Sequence, residues 1–133
     1  MTLKIQQKKD VVIHGYFQSQ KYFALPIHQH QIFQCRASPI FLKIAHKFTS
    51  LEEYKTIPNA AALIRKLTIV WGAKESLYKI YGKKKLLFLH HIHITDFKFE
   101  DKKTTGEIRY DGTSKAYQIQ FLEFEDFTCV FAY

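Results

Sequence analysis

The stretch from Asn59 to Gly82, NAAALIRKLTIVWGAKESLYKIYG, constrains this chain more than any other. Pro58 stands before it, Asn59 is a residue type that caps helix starts, and Gly82 is the type that most readily takes the left-handed turn ending a helix. Between them Leu63, Ile64, Leu67, Val70, Trp71, Leu77, Tyr78 and Tyr81 recur at three- and four-residue spacing, which predicts one long amphipathic helix. Lys83, Lys84 and Lys85 follow at the end where the helix dipole favours cations. Such a stripe must be buried against another layer, and the downstream sequence supplies one. LLFLHHIHIT (86–95) reads as a strand that FKF (97–99) continues, and GEIRY, AYQIQFLEF and FTCVFAY follow. Asp111-Gly112 is a hairpin signal, and Glu125-Asp126 separates the last two runs. Tyr117, Ile119 and Phe121 alternate with Gln118 and Gln120, as in a half-buried strand. The expected class is α+β, a long helix packed on a small antiparallel sheet.

Upstream, IFLKIAHKF (40–48) places Ile40, Leu42 or Phe41, Ile44, Ala45 and Phe48 near helical spacing. Ser50 with Glu53 forms a capping-box pattern that opens a short helical turn, and Pro58 stops it. From Val11 to Phe41 the runs VVIHGYF and KYFALPI are strand-like in composition but lack sustained alternation, and Gly15 and Pro26 punctuate them. No element is assigned there.

Charge divides the chain unevenly. Residues 1–47 hold seven basic residues and one acid, Asp10, while residues 48–133 hold thirteen basic and eleven acidic ones, so most of the net +8 belongs to the first part. Composition thus shifts somewhere around residues 36–48, and the acid-poor, Gln- and His-rich residues 1–36 are expected as a divergent or poorly ordered segment, either a genuine arm or an out-of-frame reading, beside a domain at 37–133. With 133 residues, 47% of them hydrophobic, the chain fits one domain with a packed core. No apolar run is long enough to span a membrane, and MTLKIQQKKD lacks the apolar stretch of a secretory signal, so a cytoplasmic location is expected. Cys35 and Cys129 lack metal-site spacing and are expected as buried thiols. In LHHIHI, His91 and His93 would share one strand face and could begin a metal site, but no third ligand is identifiable. A basic chain rich in Tyr and Phe could also stack bases and track phosphates. That nucleic-acid reading ranks low, because the charge excess reflects missing acids more than placed cations.

The residues with chemical promise are Trp71, Lys74, Glu75 and Lys79. Trp71, Glu75 and Lys79 are successive four-residue steps along one stripe, which aims a carboxylate and an ammonium into the same space. Such a pair suits phosphoryl chemistry, where a divalent cation wants oxygen ligands and the moving phosphoryl group wants a nearby positive charge. On spacing alone, Glu75 and Lys79 equally form the pair of any solvated helix, worth about 0.2–0.5 kcal/mol.

WGAKESLYK (71–79) resembles the W-x-x-K-E-[AS]-x-x-K signature of the 4′-phosphopantetheinyl transferase superfamily. IAHKFTSLEEY (44–54) is similar to the segment preceding that signature in the surfactin-synthetase-activating type, and the likeness runs from about residue 40 to 133, matching the C-terminal half of that type. The resemblance implies one half of that family's fold and transfer of the 4′-phosphopantetheine arm of coenzyme A to a serine of an acyl or peptidyl carrier protein. It implies that Glu75 is a Mg²⁺ ligand and part of the base. Lys79 would neutralise the diphosphate, Lys74 would sit beside the coenzyme A phosphates, and Trp71 would pack to position the helix. The family's G-[IV]-D-x-E motif has no counterpart here: at its usual spacing stands QIFQC (31–35), with Phe33 and Cys35 where acids are expected. Mg²⁺ affinity should fall accordingly. PIHQHQIF, with His28 and His30, is faintly similar to a phosphate-contacting His-x-His-x-F element of the long type. A half-size chain could form a homo-oligomer to complete its cleft. A degenerate member would remain as a non-catalytic coenzyme A or carrier-protein binding module.

Overall fold

The computed structural model describes residues 23–27, 30–50, 54, 57, 59–82, 85–124 and 127–133, with backbone alone for residues 23–35. Strands β1 (Phe23–Ile27) and β2 (His30–Arg36) come first, then helix α1 (Ile40–Ile44), which tightens into a 3-10 turn at Ala45–Lys47. The long helix α2 (Ala60–Tyr81) follows, then the short α3 (Phe88–His91), β3 (Ile92–Ile94), a 3-10 turn at Phe99–Asp101, β4 (Lys103–Tyr110), β5 (Thr113–Phe124) and β6 (Phe127–Ala132). The strands form one antiparallel sheet in the order β1-β2-β6-β5-β4-β3, and α2 lies against it, in contact with β6, β2 and β3. The fold is thus α+β, a long helix on an antiparallel sheet.

Both ends of α2 are built as the sequence predicts. The Asn59 side-chain oxygen accepts from the backbone N–H groups of Ala61 (2.8 Å) and Ala62 (3.3 Å), satisfying donors that a helix start leaves open. At the other end Gly82 turns left-handed (φ +73°) and donates to the Tyr78 carbonyl (3.1 Å). Asp111 (φ 52°) and Gly112 (φ 72°) make the two-residue turn between β4 and β5, where Tyr110 pairs with Thr113. Tyr117, Ile119 and Phe121 are buried, and Gln118 between them is exposed. Glu53, Pro58, Lys83, Lys84, Glu125, Asp126 and His28, which carry other sequence expectations, lie outside the described residues.

Two expectations are corrected. LLFLHHIHIT is not one strand: α3 occupies Phe88–His91 and only Ile92–Ile94 is extended. The His91 ring nitrogen Nδ1 accepts the Leu87 N–H (2.8 Å) while the His91 N–H donates to the Leu87 carbonyl (2.8 Å), a local closure that outcompetes extension. FKF does not continue the strand either. Phe97 is drawn into the core against Phe121 (ring centroids 5.0 Å), and Phe99 begins a 3-10 turn.

The helix also departs from a one-sided amphipathic pattern. From Lys66 to Leu77 every residue except Trp71 is buried, so its middle turns are enclosed on all sides. Helix and sheet approach closely at Gly106, where an added Cβ would stand 2.6 Å from Leu77 Cδ1 and 2.8 Å from Ile119 Cδ1. A side chain there would require the ends of Leu77 and Ile119 to shift. Among the described residues no helix is long and apolar enough to cross a membrane.

Candidate functional site

A helix enclosed on all sides should be apolar all round, yet the middle of α2 buries Lys66, Thr68, Lys74, Glu75 and Ser76. Each needs a reason. Thr68 and Ser76 return their hydroxyls to the helix itself, donating to the Ile64 (2.7 Å) and Gly72 (2.9 Å) carbonyls, and Ser76 also reaches the Val130 carbonyl of β6 (3.3 Å). The Lys66 ammonium pairs with the Asp96 carboxylate (2.8 Å), donates to the Phe97 carbonyl and sits 3.7 Å from the centroid of the Phe97 ring. These three are accounted for by packing.

Trp71 projects into an aromatic box, with ring centroids 4.9 Å from Phe48, 5.3 Å from Phe88 and 6.3 Å from Phe41. This joins the end of α1's extension and the start of α3 to the same helix face, and Tyr78 extends the box through Phe88 (5.5 Å). Lys74, one turn on from Trp71, donates from Nζ to the carbonyls of Phe48 and Phe88, the latter at 3.0 Å. Charge-assisted bonds of this kind contribute about 1.5–3 kcal/mol each.

Glu75 differs. It is 5% exposed, and among the described residues its carboxylate accepts no hydrogen bond. Burial pushes its carboxyl up to about 7, and the nearby Lys79 charge pulls only partly the other way. The Glu75–Lys79 pair is therefore no solvated surface pair of the common kind. A carboxyl poised near neutrality inside a protein can exchange a proton at working pH, and its ionised form offers oxygens to a cation.

Lys74 also borders a cleft of about 220 Å³ with Thr49, Tyr54, Leu89 and His93. A neighbouring cleft of about 390 Å³ is walled by Lys66, Val70, Asp96 and Phe97, and the two share Tyr54 and Ile94. Thr49 donates its hydroxyl to the Tyr54 oxygen at 3.3 Å. Burial first, then the Arg109 and Lys74 charges, holds the His93 imidazole below its ordinary range. Glu75 and Lys79 line neither cleft. The structure thus sorts the four sequence-derived residues into two groups: Trp71 and Lys74 on the box and cleft, and Glu75 with Lys79 as a coupled pair.

The cleft residues Thr49 and Tyr54 carry no site expectation from the sequence, although IAHKFTSLEEY contains them, and His93 is expected there only as half of a histidine pair with His91. The signal for Thr49 and Tyr54 is their place in the segment before the motif. The histidine pair expected on one strand face is not formed, since His91 belongs to α3 and its ring packs on Tyr110 (5.0 Å), whereas His93 lies in β3 opposite Glu107. Among the described residues no three His, Cys, Asp or Glu side chains gather closely enough to hold a metal ion. Cys129 is a half-buried free thiol, and burial raises it above the usual thiol range. QIFQC lies in β2, which runs beside β6 and against α2.

Comparison with known proteins adds one match: the family model of the 4′-phosphopantetheinyl transferase superfamily covers residues 27–132. No curated protein and no solved structure matches the chain.

Proposed function

This chain belongs to the 4′-phosphopantetheinyl transferase superfamily, and from that premise we propose that it moves the 4′-phosphopantetheine arm of coenzyme A onto a serine of an acyl or peptidyl carrier protein in the cytoplasm. Within the superfamily we read it as the counterpart of the C-terminal half of the surfactin-synthetase-activating type, with a second copy completing the cleft. The observation that carries the reading is the Glu75 carboxyl, buried within the W-x-x-K-E string, raised to about 7 and coupled to Lys79 on the next turn.

In this reading the carrier serine oxygen attacks the phosphorus bearing the pantetheine arm. The bond from that phosphorus to the bridging diphosphate oxygen breaks, and 3′,5′-ADP departs with the electron pair. Glu75, about half ionised near pH 7, accepts the serine proton. Lys79 meets the negative charge that grows on the diphosphate. Trp71, boxed by Phe41, Phe48 and Phe88, holds the helix in place. The donor set fits Mg²⁺ only as a site shared with substrate, since one buried carboxylate is at hand and Mg²⁺ commonly completes its shell with phosphate oxygens and water. When bound with Glu75 as its protein ligand, the ion supplies neutralisation of the phosphates.

A second reading has its own support. Asp10 is the one acid in residues 1–47, and QIFQC stands where the family's D-x-E motif is expected. A chain lacking those acids would bind coenzyme A or a carrier protein without transfer. Incubation with coenzyme A, Mg²⁺ and an apo carrier protein decides between them, with the carrier read by mass. The transferase reading expects a gain of one phosphopantetheine that Glu75→Ala abolishes. Bound coenzyme A with no gain at high protein concentration overturns it in favour of the binding module.

A further inference from the structure

Trp71 and Lys74, one turn apart on α2, grip the same two residues. The Trp71 ring packs on the rings of Phe48 (4.9 Å) and Phe88 (5.3 Å), and the Lys74 ammonium donates to the carbonyls of those same residues. Phe48 ends the 3-10 turn after α1, and Phe88 opens α3, so two segments far apart in the chain are each held twice by one helix.

The resemblance implies a different task for Lys74, contact with the coenzyme A phosphates. We infer that Lys74 is instead a positioning residue, which fixes the walls of the Thr49–His93 cleft to α2 and so orients the helix that carries Glu75 and Lys79. Three observations support this. Lys74 is 4% exposed and lines the cleft wall with its ammonium turned to the two segments it holds. Two of its N–H donors are directed to backbone carbonyls, and both bonds would have to break before Nζ could turn to a ligand. The Phe48 carbonyl leaves the end of a helical turn, where carbonyls lack intrahelical partners and a cation is the favoured one. The division of labour in WGAKESLYK is then that Trp71 and Lys74 hold the frame, while Glu75 and Lys79 are left for the proposed chemistry.

The consequence for catalysis rests on the proposed transfer, but the grip does not, and the test separates them. Wild-type protein is treated with an amine-acylating reagent, with and without coenzyme A, and labelling is mapped by mass. Lys74 should react at least about tenfold more slowly than the exposed Lys98, because reaction requires local opening, and coenzyme A should not change its rate. Labelling as fast as Lys98, slowed by coenzyme A, overturns the inference. Lys74→Met adds a second readout through Trp71, the single tryptophan of the chain. The inference expects the emission of the folded variant to shift to longer wavelength without any ligand, and kcat to fall while KM for coenzyme A stays within about threefold. Unchanged emission with KM raised about tenfold or more means phosphate binding and overturns it. If Lys74→Met does not fold, the wild-type labelling decides alone. If wild-type protein transfers nothing while Lys74 stays protected and the emission shifts, the transferase reading fails and the grip stands.

Discussion

Lys66 and Glu75 lie on the same helix, each 5% exposed, yet their surroundings are unalike. Lys66 is answered on every side, by the Asp96 carboxylate, the Phe97 carbonyl and the faces of Phe97 and Phe99. Its neighbour Arg65 is likewise paired twice with Glu123 and lies over Phe99. Glu75 has burial without hydrogen bonds among the described residues, and Lys79 offsets only part of it. The first half of α2 buries charge and satisfies it, which contributes to stability. The second half buries a carboxyl and leaves it shifted, which lowers stability at neutral pH and leaves a group ready to move a proton.

The largest effect that contrast predicts is on transfer. Glu75→Ala should lower carrier modification by at least about 100-fold, the span of a lost general base, and residual transfer within about threefold of wild type would break the assignment.

Next comes pH. Because the folded-state Glu75 carboxyl is raised from 4.5 to about 7, the folded chain holds its proton where the unfolded chain has lost it. Its contribution is fully present below the unfolded value, is lost as pH rises through about 4.5 to 7, and stays lost above, amounting to roughly 3 kcal/mol at most. Glu75→Gln should therefore flatten the urea midpoint between pH 5 and 8 and exceed wild type at pH 8. A wild-type midpoint that rises over that range would contradict the burial effect.

Lys66→Met should lower stability by about 1.5–3 kcal/mol, the worth of a charge-assisted bond, and leave coenzyme A affinity unchanged. An equal loss of affinity would join the two halves into one site and blur the comparison. Smallest is Asp96→Asn, expected at under about 1 kcal/mol because the Asp96 side chain is 87% exposed. Its hydrogen bond to Lys66 holds the Asp96 carboxyl below the usual range, so that small term is present above the ordinary carboxylate range and fades as pH falls through the lowered one. Urea titration of this variant at pH 7 and pH 3 checks both size and direction.

Much of the frame was legible. The cap at Asn59, the stop at Gly82, the Asp111-Gly112 turn and the alternation through Tyr117, Ile119 and Phe121 all depend on local chemistry that neighbouring residues carry. LLFLHHIHIT departs from the expected strand because a short apolar run with histidines suits a strand or a helical turn equally, and the bond between His91 and Leu87 favours the turn. The candidate site was legible as residue types in a string. What was not legible was that Lys74 and Glu75, adjacent in sequence, have different neighbours: Phe48 and Phe88 for one, Lys79 for the other.

The sequence by itself determined where the long helix begins and ends, which face of β5 turns inward around Tyr117, Ile119 and Phe121, and which family string the helix carries. These follow from caps, turn residues and periodicity, which act over a few residues. Only the tertiary structure decided that the middle of α2 is enclosed on all sides, that Lys66 is satisfied while Glu75 is shifted, and that Lys74 holds two distant carbonyls. Burial and the partners of a charge depend on segments brought together from across the chain, and no local pattern encodes them.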